Sequence, residues 1–248
     1  MNNLLALTSR ELKALWYSPV AYVVGALFLL MQGGIFGLLL TALNDPRMDP
    51  SWTMAEFFFG GSFFYWFSVM ITAPLLTMRT FSEEKRTGTI EMLLTAPVTD
   101  TQVVLSKFLG TWLIYCGLWA STIVYFLILS RHTAFDWGPV FTGYLGTWLL
   151  GSVLMALGIF TSSLTRNQVI AAVMSFVILL FLFSIGILDA FIKDPQGSAI
   201  IKYLSLLDHL HNFSKGILDT RPILFYLSLT TICLFLTGRV INSPRWRS

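Results

Sequence analysis

Asp208, His209 and His211 are the residues whose types could most directly do chemistry, since imidazoles and a carboxylate bind divalent metals. Their spacing argues against it. On a helix, positions 209 and 211 point about 200° apart, and the i, i+4 pairing of a helical metal site is missing. Polar residues of an interfacial helix turned toward water account for all three. The sequence holds no G-x-x-x-x-G-K-S/T phosphate loop, so ATP is not bound in that manner, and no H-E-x-x-H pair. No catalytic, cofactor-binding or metal-ligating residue is assigned, and the chain is read as non-catalytic. What remains is a dense run of charge, Arg79 to Arg86, continuing through Thr87, Gly88 and Thr89 to Lys107. Charge in that density suits recognition by another protein rather than covalent chemistry.

The elements that must hold this run are apolar. Of the 248 residues 55% are hydrophobic and only 12% charged, with a mean hydropathy of +0.72. A soluble domain carries about twice that charge fraction, so the chain is read as an integral membrane protein, and its small formal charge of +3 does not suggest nucleic acid as a partner. Six apolar runs are each long enough to cross a bilayer, roughly Val20–Leu43, Gly60–Met78, Phe108–Ser130, Val140–Leu164, Gln168–Leu188 and Pro222–Val240. All six are expected to be helices, because only helices satisfy their own backbone in lipid. One such charge near a span centre costs about 2.5–3.5 kcal/mol on insertion scales, and none of the six centres carries one. An ion-coupled carrier needs ionisable groups at that depth, so the energy for any transport must come from elsewhere. Cys116 and Cys233 both fall inside apolar runs, and no disulfide framework is expected.

The fold class that follows is all-α and membrane-integral: six transmembrane helices in a single domain over residues 1–248. Leu5, Thr8, Leu12, Leu15 and Trp16 share a helical face, which predicts an N-terminal interfacial helix over residues 3–17. Ile200, Tyr203, Leu204, Leu207 and Leu210 do the same before the last span, predicting an outer interfacial or re-entrant helix. With the N-terminus inside, ten of the 16 basic residues face the cytoplasm and six face out. That asymmetry favours cytoplasmic N- and C-termini. Trp16, Trp66, Trp137, Trp148 and Trp246 fall near span ends, as an aromatic belt would place them. Gly33 and Gly37 form a G-x-x-x-G pair in the first span, a packing surface that could serve as a dimer seam. Pro74 is read either as a hinge or as a tolerated membrane proline.

Within the charged run, Ser82 with Glu83 and Glu84 suits a helix start, the acids facing the positive end of the helix dipole. Gly88 interrupts that helix, and Thr89 can cap a second one, in which Ile90, Leu93 and Leu94 form an apolar face and Glu91 another side. Pro97 ends it. Thr99 and Gln102 have capping-box spacing and start the helix that becomes the third span. A compact, twice-broken helical knob of this kind suits docking in a groove of a partner protein.

Glu83-Glu84-Lys85, Gly88-Thr89-Ile90-Glu91, Leu93-Leu94, Ala96-Pro97-Val98-Thr99 and Lys107 together resemble the corresponding segment of permease subunits of type-2 ATP-binding-cassette (ABC-2) exporters. Ser106 departs from the glycine common there before the lysine. Met78 to Phe81 and Leu204 to Phe213 look most like the gliding-motility-associated branch of that family. The resemblance implies that the knob is a coupling helix docking on a cytoplasmic ABC ATPase subunit through Glu83, Glu84, Lys85, Gly88, Thr89, Glu91, Leu93, Leu94 and Pro97. It also implies a second permease copy or a related permease as dimer partner, and bacterial inner-membrane localisation among membrane lipids. A periplasmic companion subunit would fit the same system. ATP and Mg2+ would then be bound by the partner ATPase, and this chain itself would carry no cofactor. A non-transporting anchor for an ATPase in a cell-surface or motility assembly shares the same knob and stays open as the alternative.

Overall fold

A computed structural model describes residues 2–43, 53–90, 98–133, 136–189 and 194–242. The described residues are helical, with no strand among them. In chain order the helices are α1 (Asn2–Trp16), α2 (Pro19–Leu43), α3 (Met54–Glu56), α4 (Phe63–Thr77) and α5 (Ser82–Thr87). There follow α6 (Asp100–Ser121), α7 (Ile123–Leu129), α8 (Trp137–Leu164), α9 (Gln168–Leu188), α10 (Pro195–Leu204), α11 (Leu206–Ser214) and α12 (Thr220–Ile241). Five spans follow from length and hydropathy: α2, α6 with α7, α8, α9 and α12. A bent pair, Met54–Gly61 (α3 with its π-helical extension Phe57–Gly61) and Phe63–Thr87 (which begins with α4), broken by 43°, makes a sixth candidate when counted as one span.

That break is a correction to the expected uniform second span beginning at Gly60. Gly60 sits at φ +94, a backbone state that costs a side-chain-bearing residue about 1–2 kcal/mol. The Trp66 indole locks the corner by donating to the Gly60 carbonyl at 3.0 Å, so Trp66 is an internal buttress and not part of an interfacial belt. Ser62 then starts α4 by accepting from the Tyr65 amide. Helix α4 runs through Pro74 to Thr77. The third span is interrupted as well, at Thr122, whose hydroxyl bonds the Trp119 carbonyl and the Tyr144 hydroxyl, each at 2.7 Å. Before the last span the chain forms two helices rather than one, because Ser205 adopts extended backbone and caps α11 through the Asp208 amide. His209 is buried and shares a hydrogen bond with the Tyr203 carbonyl. This links α11 back to the end of α10.

Helix α8 is the centre of the bundle. It packs against α12, α11, α9, α6 and α4, and 78% of its most apolar window is buried, against 17–28% for the other four single spans. Its glycines permit the close approach: a Cβ on Gly151 would fall inside the Tyr115 ring, and one on Gly158 would collide with the Thr77 hydroxyl. Small residues replace hydrophobic driving force where helices meet in lipid. Gly151→Ala is therefore expected to destabilise the fold by about 1–3 kcal/mol through overpacking. Gly238→Ala, where an added methyl meets nothing within 4 Å, serves as the control and should be neutral or slightly stabilising. Thermal unfolding of the purified chain in detergent distinguishes the two.

Candidate functional site

The charged run begins where α4 ends. Phe81, not Ser82, stands at the N-cap of α5, and its side chain makes no capping bond. The cap comes from another helix: the Ser162 hydroxyl of α8 accepts from the Phe81 and Ser82 amides, both at 3.1 Å, and donates to the Met78 carbonyl at 3.0 Å. The Ser82 hydroxyl donates back to the Met78 carbonyl. Two amides of the kind a helix start leaves without intrahelical partners are thus satisfied by α8, which fastens the corner to the centre of the bundle.

Glu84 turns inward. Its Oε1 lies 2.7 Å from Lys107 Nζ on α6, and the same ammonium lies 3.3 Å from Glu11 Oε1 on α1. Arg10 completes the network at 3.3 Å from Glu11 and 3.9 Å from Glu84. Lys107 is 2% exposed, and its ammonium also lies 5.1 Å from the centre of the Phe81 ring, a cation–π distance. Helix α1 can come this close because Gly110 has no side chain; a Cβ there would meet the Glu11 Cβ at 3.0 Å. Burial pushes the Glu84 carboxyl above its usual range and the Lys107 charge opposes that shift. The second oxygen, Oε2, is buried without a hydrogen bond.

Lys85 also turns inward, donating from Nζ to the Ser163 carbonyl at the end of α8. Burial, with the nearby Arg166 charge adding to it, lowers its pKa from 10.5 to about 8. A base whose pKa falls on folding contributes stability that is complete above its unfolded value and is lost as pH falls through the folded one. The window here is therefore between about 8 and 10.5. Melting temperatures taken near pH 8 and about pH 10 should rise more for the wild type than for Lys85→Met. Equal increments for the two proteins would refute this.

What the helix shows outward is its far end. Glu83 is half-buried and pairs with Arg86 at 2.5 Å. Arg86, Thr87, Gly88 and Thr89 are exposed. Gly88 closes the helix at φ 74, the left-handed cap that glycine allows. Of the residues expected in the docking element, Glu84 and Lys85 hold the knob to the bundle, whereas Glu83, Gly88 and Thr89 face solvent in whole or in part. Glu91, Leu93, Leu94 and Pro97 lie outside the described residues. The capping box at Thr99 and Gln102 forms in both directions, at 3.3 Å and 3.2 Å. In the first span the G-x-x-x-G pair divides. A Cβ on Gly33 would lie 3.5 Å from the Tyr125 hydroxyl of its own chain, while one on Gly34 or Gly37 would meet nothing within 4 Å among the described residues.

Glu11, Arg10, Ser162 and Ser163 are site residues that sequence reasoning missed. Glu11 lies among ordinary polar residues of an amphipathic helix, and Ser162 and Ser163 sit in a plain Thr-Ser-Ser run. Lys107 alone offered a signal, a cation at the mouth of an apolar run.

Compared with protein families, the sequence matches the model described as ABC-2 family transporter protein over residues 5–245. No curated protein matches it.

Proposed function

The chain belongs to the ABC-2 family of transporter proteins, and we propose that it is the membrane-spanning permease subunit of an ATP-driven exporter. In this reading ATP and Mg2+ are bound and hydrolysed on a separate ATPase subunit, and this chain is the non-catalytic partner. The observation that carries the proposal is the way α5 is fastened. Its exposed tip projects at Arg86–Thr89, while its base is tied to α1 and α6 through Glu11, Glu84 and Lys107 and to α8 through Ser162 and Lys85. A force applied at the tip reaches three helices through short, buried contacts, as rigid-body switching requires. The docking surface then comprises Glu83, Arg86, Gly88 and Thr89 with the segment that follows.

The same reading sets both termini in the cytoplasm, by the distribution of basic residues, and the chain in a bacterial inner membrane. It pairs the chain with a second permease across α2, with Gly34 and Gly37 as the open part of the seam. The finer placement beside the gliding-motility-associated permeases rests on residues 78–81 and 204–213 alone. A periplasmic companion belongs to the same reading.

Reconstitution tests it. Co-expression with an ATPase encoded beside this chain, followed by insertion in vesicles, should give ATP-dependent movement of a cargo and ATP hydrolysis stimulated by it. Stable ATPase binding, with hydrolysis unaffected by any cargo, would support the non-transporting anchor instead.

A further inference from the structure

Where α2, α4 and α6 meet inside the bundle, three enclosed polar atoms have no hydrogen-bond partner among the described residues: Gln32 Oε1, Tyr115 Oη and Trp119 Nε1. Each belongs to a side chain that is 0% exposed, so neither lipid nor bulk water reaches it. A buried polar group of this kind bears its full desolvation penalty unless something pairs with it.

Gln32 stands at the middle of α2. Its Nε2 donates to Ser68 Oγ on α4 at 2.8 Å, and Ser68 Oγ donates on to the Tyr65 carbonyl at 2.8 Å. Turning the amide over does not close the network. Oε1 would then take the Ser68 proton, and Nε2 would become the unpaired atom. One end of the amide stays open in either orientation.

Trp119 on α6 touches both helices that hold this pair. Its ring centre lies 5.2 Å from that of Phe28 and 5.2 Å from that of Tyr65. Phe28 precedes Gln32 by one turn on the same face of α2, and Tyr65 is the residue whose carbonyl holds Ser68. Tyr115 stands one turn before Trp119, with ring centres 6.3 Å apart. Its hydroxyl and the Trp119 N–H interact across that turn, yet not in the alignment of a hydrogen bond. The Tyr115 ring packs directly on the backbone of α8, where a Cβ on Gly151 would fall 2.0 Å from a ring carbon. The Tyr65 and Thr147 hydroxyls are bonded to each other at 3.0 Å.

The open set is thus one acceptor on Gln32, one donor on Trp119 and one hydroxyl that can serve as either. Water fits that set. It accepts from the indole, donates to the amide oxygen and spends a third bond on the phenol, the usual number for an internal water. A cation would meet the indole proton, and an anion would meet the amide oxygen. An apolar molecule would leave all three atoms unpaired.

We propose that one water molecule is bound inside the bundle between Gln32 Oε1 and Trp119 Nε1, with the Tyr115 hydroxyl as its third partner. The site rests on enclosed polar atoms and not on transport, so it stands whether the chain exports a cargo or anchors an ATPase.

A density map of the full chain in lipid nanodiscs, fine enough to show ordered water elsewhere in the protein, tests this directly. A single peak within hydrogen-bond distance of Gln32 Oε1 and Trp119 Nε1 is expected. Ultraviolet resonance Raman spectra supply the second reading, since an indole band shifts when its N–H is hydrogen-bonded. The chain has eight tryptophans, so the Trp119 signal is isolated by subtracting the spectrum of Trp119→Phe. It should report a bonded N–H in the wild type and a shift toward a free one in Gln32→Leu. No peak at this position overturns the proposal, as does an elongated density too large for water. Direct pairing of Gln32 Oε1 with Trp119 Nε1 or Tyr115 Oη overturns it too. So does a Trp119 band that is free in the wild type, or unmoved by Gln32→Leu, which would assign its bond to another group. The map is read on the wild type, so the proposal can fail even where neither variant folds.

Discussion

Lys107→Met is expected to destabilise the protein by about 3–5 kcal/mol, the range for removing one partner from a buried ion pair. The methionine fills much of the same volume, so the loss is electrostatic. Without the ammonium, Glu84 and Glu11 face each other with only Arg10 nearby, and Glu84 Oε2 already lacks a hydrogen bond. Glu84→Gln should be far milder, about 1 kcal/mol or less, because a neutral amide still accepts from Lys107 and no longer suffers desolvation of its charge. The pH dependence separates these causes. A carboxyl whose pKa is raised on folding contributes stability that is greatest below its unfolded value and declines as pH rises through the folded one. Glu84 is such a group, and removing Lys107 removes the charge that opposes the shift. The Lys107→Met protein should therefore recover much of its stability near pH 5 relative to about pH 8. A loss equal at both pH values would point to packing instead. Thermal unfolding in detergent at the two pH values decides, and limited proteolysis at the end of α1 reports whether that helix has detached.

The second large effect separates docking from folding. Glu83→Lys together with Arg86→Glu reverses two charges on the exposed side of α5 while keeping their i,i+3 pairing. If ATPase docking uses this surface, co-purified ATPase should fall by about tenfold or more, the scale of losing charge complementarity at an interface, with unchanged thermal unfolding. Glu84→Lys must be judged differently. It sets a third cation beside Lys107 and Arg10 in a buried site, and should unfold the corner whether or not an ATPase is present. Full ATPase retention by the Glu83→Lys/Arg86→Glu protein would remove these residues from the docking surface. Lowered stability of the same protein would show that they serve the fold.

Much of the architecture was legible in the sequence because lipid imposes a strong and simple rule. A backbone crossing the bilayer must satisfy its own hydrogen bonds, so an apolar run of sufficient length is a helix. The fifth and sixth spans and the amphipathic α1 follow from that rule and from periodicity to within about two residues. The capping box at Thr99 and Gln102 and the stop at Gly88 are equally local: each depends on residues within one turn. The family, too, shows in one continuous stretch of sequence.

Tertiary structure decided what depends on neighbours far along the chain. The 43° break in the second span arises from Gly60 and the Trp66 bond, and nothing in an apolar run marks where a helix will part. The cap of α5 comes from Ser162, eighty positions away, so no local pattern could name it. Above all, a run of charge read alone faces water, whereas Glu84 and Lys85 face the bundle. Lys107 and Glu11, on two other helices, offer Glu84 a low-dielectric partner set that its own segment does not contain. The sequence by itself determined that the chain spans a membrane and carries a charged knob after the second span. Which of the knob's charges grip the bundle, and which remain for a partner, was decided by packing, because burial and pairing depend on how separate helices meet.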